Sequence, residues 1–245
     1  MFIGQSTKII SINFNAIKEY IGVMKLHCDV SDGELSKVIN EFKGQIYQKP
    51  PLKSSVKRRL RVKRVYEIEI IERNGRYVLF RVLTEAGTYI RKLCHDMGLV
   101  LGCGANLREL RRTKSGIFTE EKNCRTMHEL SEAIYMLKKG EEKYIREILL
   151  PIEFSLCGIP KIVVSDFAVN PIANGSPLMA PGILAVQEGI KRGSQVGIMT
   201  KKGELVALGI SSYNFDEILK MEKGAIVQPK RVYIRPGLYP NRKAK

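Results

Sequence analysis

A chain of 245 residues, 44% hydrophobic and 27% charged, can bury one large core or two modest ones, which excludes wholesale disorder. No run approaches 18 uninterrupted apolar residues, so a membrane-spanning helix is excluded, and the opening MFIGQSTKII lacks the layout of a secretory leader. Lys and Arg number 41 against 25 Asp and Glu, a formal +16, which favours a polyanionic partner, nucleic acid before an anionic membrane surface.

In chain order, KEYIGVMKLHCDV has strand character, with Tyr20, Val23, Leu26 and Val30 set among small and polar residues. Ser31 or Asp32 then caps a helix whose apolar face is Leu35, Val38, Ile39 and Phe42, and Gly44 ends it. PPLKSSVKRRLRVKRVYEIEIIE begins as a basic run and ends in the alternation of a strand. RYVLFRVLTEAGTYIRKLCHDMGLVLG reads as strand, turn at Gly87, then helix from about Tyr89. The cluster Arg108, Arg111, Arg112 and Lys114 falls at the predicted end of a helix. Met127 to Leu150 repeats apolar residues at helical spacing, broken by Gly140.

Prolines bracket PIEFSLCGIP at 151–160 and mark a boundary. Beyond it, short apolar runs punctuated by glycine (IVVSDFAVNPIANGSPLMAPGILAV, GSQVGIMT, ELVALGISS, GAIVQPKRVYI) predict five or six short strands, the texture of a small β-barrel. Both parts are basic: 28 basic against 18 acidic residues through position 150, and 13 against 7 after it.

Seven of the twelve residues from 53 to 64 are basic and none is acidic: Lys53, Lys57, Arg58, Arg59, Arg61, Lys63 and Arg64. Contacts from several of these to phosphates make salt-dependent nucleic-acid binding; the competing reading is a solvated cationic loop. The five cysteines, Cys28, Cys94, Cys103, Cys124 and Cys157, form no C-x-x-C pair, and the three histidines are isolated. Zinc spacing and a disulfide framework are therefore absent, and free thiols in a reducing cytoplasm are expected. Gly102-Cys103-Gly104 lacks the third glycine and the acidic residue that a dinucleotide loop requires.

Longer segments carry a resemblance. KEYIGVMKLHCDVSDGEL, YQKPPLKSSVKRRLRVKRVYEIEI, GTYIRKLCHDMGLVLGCGANLRELRRTKSGIF and TMHELSEA together resemble the dyskerin-like archaeal and eukaryotic pseudouridine synthases, relatives of the bacterial tRNA pseudouridine-55 synthase. DFAVNPIANGSPLMAPGI and KRGSQVGIMTKKGELVALG resemble their PUA domain. The resemblance covers residues 6–240 and implies an α+β fold: a mixed-sheet catalytic domain over 1–155, then a small RNA-binding PUA barrel over 156–240. It implies isomerisation of uridine to pseudouridine in tRNA or rRNA, without metal or organic cofactor, in the cytoplasm. The implied partners are a box H/ACA guide RNA, the substrate RNA and small H/ACA accessory proteins.

The same resemblance assigns residues. Tyr20 of K-x-Y stacks on the target base and acts in proton transfer at C5. Arg91 of G-T-Y-I-R pairs with the catalytic aspartate, and Leu110, or a neighbour in LRELRRT, lies beneath the base. RNA contacts are expected at Lys18, Lys53, Lys57, Arg58, Arg59, Arg61, Arg111, Arg112, Lys114, Lys191 and Arg192. The chemistry agrees: an aromatic face suits a flipped-out uracil, and a guanidinium holds a carboxylate better than an ammonium.

The chain departs from the family at one point that matters. Active members carry a G-T-L-D-P-type motif with the nucleophilic aspartate, and no G-x-x-D-P occurs here. Asp29, Asp32, Asp96, Asp166 and Asp216 lack that context; Asp96, five positions after Arg91, is over a full helical turn away. The expectation is an N-terminally truncated synthase that does not isomerise uridine alone, the alternatives being a non-catalytic RNA-binding remnant or one half of a split enzyme. Gly175-Ser176 and Gly193-Ser194 stand where PUA domains usually have Gly-Ala and Gly-Asp.

Overall fold

The computed structural model describes residues 2–50 and 57–240. The chain divides into two compact units, Ser11–Tyr135, and Met1–Ile10 together with Met136–Lys245. Prolines put the sequence boundary at 155; the packing groups 136–155 and the first ten residues with the carboxy-terminal sheet.

In the first unit, α1 (Ile10–Phe14) leads into β1 (Lys18–Leu26), which is followed by α2 (Asp32–Glu41) and β2 (Gly44–Gln48). Then come β3 (Arg61–Asn74), β4 (Tyr77–Thr84), α3 (Ile90–Val100), β5 (Ala105–Ser115), β6 (Phe118–Thr119), α4 (Glu120–Asn123) and α5 (Met127–Lys138). The six strands form an antiparallel sheet in the order β2-β3-β4-β1-β5-β6. Ser31 caps α2 in a reciprocal box with Glu34, whose backbone N–H donates to Ser31 Oγ at 3.2 Å. Leu35, Val38 and Ile39 of α2 and Ile90, Leu93, Cys94 and Met97 of α3 bury against Met24, Leu26, Val78, Phe80 and Val82 of the sheet.

One contact fixes how closely α3 lies on the sheet edge. A Cβ on Gly98 would stand 2.0 Å from the Ala105 nitrogen, so only glycine permits the approach. Gly102 and Gly104, at φ 72° and 77°, then reverse the chain into β5.

The Arg108–Lys114 cluster therefore sits in a strand and not at a helix end, a correction to the sequence reading. The alternation that marks a strand is missing because both faces of β5 are exposed over Arg108–Arg112. Periodicity reports burial, and here there is little to report.

The second unit adds α6 (Lys143–Ile148), β7 (Lys161–Val164), α7 (Asp166–Ala173), β8 (Leu178–Met179), β9 (Ile183–Val186) and β10 (Gln195–Met199). It closes with β11 (Leu205–Ser211), α8 (Phe215–Lys220) and β12 (Ala225–Val232). The sheet order is β8-β12-β11-β10-β7-β9, parallel only between β10 and β7. The segment read as continuous strands contains a helix: Val169, Ile172 and Ala173 of α7 are buried at helical spacing, with Pro171 tolerated inside. In β11, Leu205 to Gly209 are all buried, so both faces are covered. Among the described residues no helix is long and apolar enough to cross a membrane.

Candidate active site and nucleic-acid interface

Residues paired across antiparallel strands share a face of the sheet. The register therefore lays Tyr20 beside Val82 and Arg112, Gly22 beside Phe80 and Leu110, and Met24 beside Val78 and Leu107. This is the face that α3 covers. At the Leu26 end it is closed, with Met24, Leu26 and Ala105 buried. Toward Lys18 it stays buried along β4, at Val82 and Thr84, and opens along β5, where Leu110 is 45% exposed and Arg112 is exposed, with Tyr20 half-buried between the two strands. A Cβ on Gly22 would stand 3.0 Å from Phe80 Cζ and 3.2 Å from Leu107 Cδ1, so the glycine lets those side chains fill the floor between the closed and open ends.

Arg91 belongs to the same end. Thr84, the register partner of Lys18, leads through residues 85–89 into α3, whose first turn carries Arg91. Gln48 fixes the entry point: Tyr89 N–H donates to Gln48 Oε1 at 2.9 Å, and Gln48 Nε2 donates to Tyr89 O at 3.2 Å. Arg91 is exposed and makes no ion pair among the described residues. Tyr20 and Leu110 thus share one face of the sheet, and Arg91 lies in the first turn of the helix that covers that face.

Lys18 lies differently. It is 9% exposed, and its ammonium donates to the carbonyls of Asn13 (2.9 Å) and Ala16 (2.7 Å). Burial first, and the Arg112 charge second, hold its pKa below the ordinary lysine value. Its charge anchors the turn that feeds β1 and is turned away from solvent.

The aspartates of this unit have other partners. Asp96 pairs with Lys92 at 2.5 Å, Asp29 with Arg76 at 2.7 Å and Asp32 with Arg73. Glu19 points to the opposite face, where Arg81 binds it at 2.8 Å beside Glu67 and Glu69. None of these three aspartates pairs with Arg91.

The cations divide into free and engaged ones. Lys57, Arg58 and Arg59 are exposed, while Lys53 lies outside the described residues. Arg61 is half-buried and its guanidinium donates to Lys57 O at 3.5 Å. Arg111 is tied to Glu120, its Nε donating to Oε1 at 2.7 Å, and Lys114 is half-buried and contributes to the field on Glu19. In the second unit Lys191 is exposed, but Arg192 donates to Glu217 at 2.9 Å and lies 5.6 Å from the Tyr213 ring centre.

The sequence reading missed one basic groove. Thr7, Lys8, Lys230, Arg231 and Val232 line a groove of about 610 Å³ within the second unit. Lys8 Nζ donates to Val232 O at 3.3 Å, and the Arg231 guanidinium donates to Lys8 O. The only sequence signal was the run Pro229-Lys230-Arg231; its meeting with Lys8 depends on chain ends far apart in sequence.

Comparison with known proteins bears on all of this. Residues 1–90 match the TruB family pseudouridylate synthase N-terminal domain model, residues 91–156 the tRNA pseudouridylate synthase B C-terminal domain, and residues 160–233 the PUA domain. A protein of Saccharolobus solfataricus named probable tRNA pseudouridine synthase B is 49% identical over 97% of this chain and 95% of its own length. One of the same name in Sulfurisphaera tokodaii is 49% identical over 96% of this chain and 69% of its own length. A solved Cbf5-Nop10-Gar1 complex contains a chain with TM-score 0.89 and 44% identity, covering 98% of this chain and 73% of that one. An H/ACA RNP bound to a substrate RNA containing 2'-deoxyuridine gives 0.89 and 42%, covering 97% and 72%.

Proposed function

Because the chain belongs to the TruB family of pseudouridylate synthases, we propose that it isomerises uridine to pseudouridine in tRNA or rRNA, as the synthase subunit of a box H/ACA ribonucleoprotein. The observation that carries the proposal is the open part of an otherwise buried sheet face, where Tyr20 and Leu110 stand, with Arg91 in the first turn of the helix that covers that face. The covalent work is internal. The bond between N1 and C1' breaks, the uracil turns, and a bond from C5 to C1' forms while C5 loses a proton and N1 gains one. No electrons leave, so the reaction requires no redox cofactor.

Each side chain then has a task. An extruded uracil stacks on the Tyr20 ring over the apolar Leu110, and stacking with unpairing favours a base already out of a helix. The Tyr20 hydroxyl lies at the base for proton transfer at C5. Arg91 holds an attacking carboxylate ionised and oriented. None of the chain's aspartates stands in a G-x-x-D-P motif, and Asp29, Asp32 and Asp96 are paired elsewhere. The RNA is gripped by Lys57, Arg58 and Arg59, and by the PUA domain with Lys191 and the groove at Lys8 and Lys230. Guide RNA, substrate RNA and small accessory proteins of the H/ACA type are the partners, and the place of action is the cytoplasm. A non-catalytic RNA-binding role is not favoured, because both synthase segments match along with the PUA domain.

Reconstitution tests this. The chain is combined with guide RNA, accessory proteins and target RNA, with and without a relative's G-T-L-D-P-type segment added in trans, and pseudouridine is measured. Turnover is expected with a carboxylate supplied to Arg91, and R91A should lower it about 10²–10³-fold. Full activity in both R91A and Y20F would overturn the assignment.

A further inference from the structure

β1 and β5 run together to their closed end, where Leu26 faces Ala105. The ladder continues one step further: His27 N–H donates to Gly104 O at 3.1 Å. One more step of the same register would set Cys28 opposite Cys103. Directly opposed residues at the end of an antiparallel ladder lie within the Cα separation that a disulfide spans. The side chains follow the backbone: the Cys28 and Cys103 thiols are near enough that Cys103 raises the Cys28 pKa, and Cys103 Sγ donates to Gly104 O at 3.3 Å.

The surroundings hold this geometry. Gly104, at φ 77°, has no Cβ, and one placed there would stand 2.9 Å from His27 Nδ1, so glycine lets the histidine loop close onto its neighbour. Arg76 grips the loop from the β3–β4 turn, donating to Asp29 at 2.9 and 2.7 Å and to His27 O at 3.2 Å. Both thiols are partly exposed, so a small reagent reaches them, whereas Cys94 is buried and its pKa is pushed up to about 12 by desolvation. Cys124 and Cys157 are exposed. Among the described residues no group of three or more His, Cys, Asp or Glu forms a metal site, so the pair is a dithiol.

We propose that Cys28 and Cys103 form a reversible cross-strand disulfide by exchange with a low-molecular-weight disulfide. One cysteine thiolate attacks a sulfur of the reagent, forms a mixed disulfide and releases one small thiol. The second thiolate attacks the protein-bound sulfur and releases the other. Two electrons pass to the reagent and the two cysteine protons are carried away, so one protein dithiol and one small disulfide become one protein disulfide and two small thiols. At rest the neighbouring Cys103 thiol and burial keep the Cys28 thiol above its ordinary pKa, with Arg76 opposing, so exchange is faster at mildly alkaline pH.

The bond would clamp the closed end of the sheet face that carries the candidate site. It joins β1, which bears Tyr20, to the turn between α3, which bears Arg91, and β5, which bears Leu110. A long loop closed in this way loses much unfolded-state entropy.

The experiment uses the full chain, reduced and then treated with excess glutathione disulfide at pH 8. Peptide mapping without reduction should find the Cys28 and Cys103 peptides linked, two hydrogens lighter than their sum. Cys124 and Cys157 should carry glutathione, and Cys94 should remain free. The thermal midpoint should rise by roughly 5–10 °C, fall back with dithiothreitol, and stay unmoved in C28S and C103S. Separate glutathione adducts on Cys28 and Cys103, or free thiols at both, would overturn the proposal. Linkage with an unchanged midpoint would refute the clamp. The wild-type map decides even if a serine variant folds poorly.

Discussion

The two sheets have the same number of strands and spend them differently. In the carboxy-terminal sheet β11 is buried on both faces from Leu205 to Gly209. In the synthase sheet β1 and β5 pair along their whole lengths, yet only one end is closed, and Leu110 and Arg112 stand exposed on the face that α3 covers further along. A closed sheet has its energy in its core and leaves recognition to loops and edges. A half-open one trades burial for an apolar floor where a base can lie. Exposed apolar surface on a core face is the less common observation and the more informative.

Two glycines allow the comparison to be broken one unit at a time. Gly98 admits α3 to within contact of Ala105, and a Cβ on Gly209 of β11 would stand 2.4 Å from Val227 Cγ1 and 2.7 Å from Gln228 O. In both places backbone stands in the way, so G98A and G209A should each cost about 3 kcal/mol or more by overpacking. Hydrogen exchange read by peptide should localise the damage. G98A should expose β1, α3 and β5 while β10 to β12 keep their protection, and G209A should do the reverse. Equal loss throughout in either variant would show that the units unfold as one.

Legibility followed burial. The strands β1 and β4 and the helices α2 and α3 could be read because each buries one face, and Ser31 and Gly87 marked their ends, whereas β3 was legible by its alternation although only Val65 and Ile68 are buried. β5 was misread because its Arg108–Arg112 stretch is exposed on both sides, and α7 because its eight residues lie inside a glycine-rich stretch. Tyr20 and Arg91 came from motif resemblance, since nothing in their spacing says where they lie; the register places Tyr20 beside Val82 and Arg112, and Arg91 falls in the first turn of α3. Lys18 was expected as an RNA contact from the K-x-Y motif of the resembled family, yet its ammonium is bound by two carbonyls. The groove at Lys8 and Lys230 and the facing of Cys28 and Cys103 join residues distant in sequence, which no window can see.

The next contrast lies between free and engaged cations. Replacing both Arg58 and Arg59 by glutamine should weaken RNA binding and flatten the plot of log K against log salt, by about 0.9 per lost contact on duplex and 0.7 on single strands. Arg111 and Arg192 are already neutralised by Glu120 and Glu217. R111Q and R192Q should therefore change the slope by less than half as much, as read by fluorescence anisotropy across a salt series. Slopes equal among all four sites would mean that the ion pairs open on binding and that the contrast is empty.

The smallest effect concerns acid. Glu19 accepts the Thr113 hydroxyl at 2.7 Å and the Arg81 guanidinium at 2.8 Å, which hold its carboxyl below the ordinary value of about 4.3 despite opposing burial. A folded-state pKa below the unfolded one means that the unfolded chain binds the proton more readily. The stabilisation is then present above the ordinary value and lost as pH falls through the depressed one. E19Q keeps an acceptor for Thr113 but loses the charge facing Arg81, so the variant should be less stable than wild type at pH 6 by on the order of 1 kcal/mol. The difference should shrink as pH falls through the depressed Glu19 value, where the carboxyl becomes neutral like the amide. In the carboxy-terminal unit Glu204, held low by Tyr239 and Thr200, gives the matching probe in the same direction. Urea midpoints across pH 3–6 for E19Q and E204Q measure both. A gap for E19Q that widens in acid would show that the cluster around Arg81 is strained by its three carboxylates and not stabilised by them.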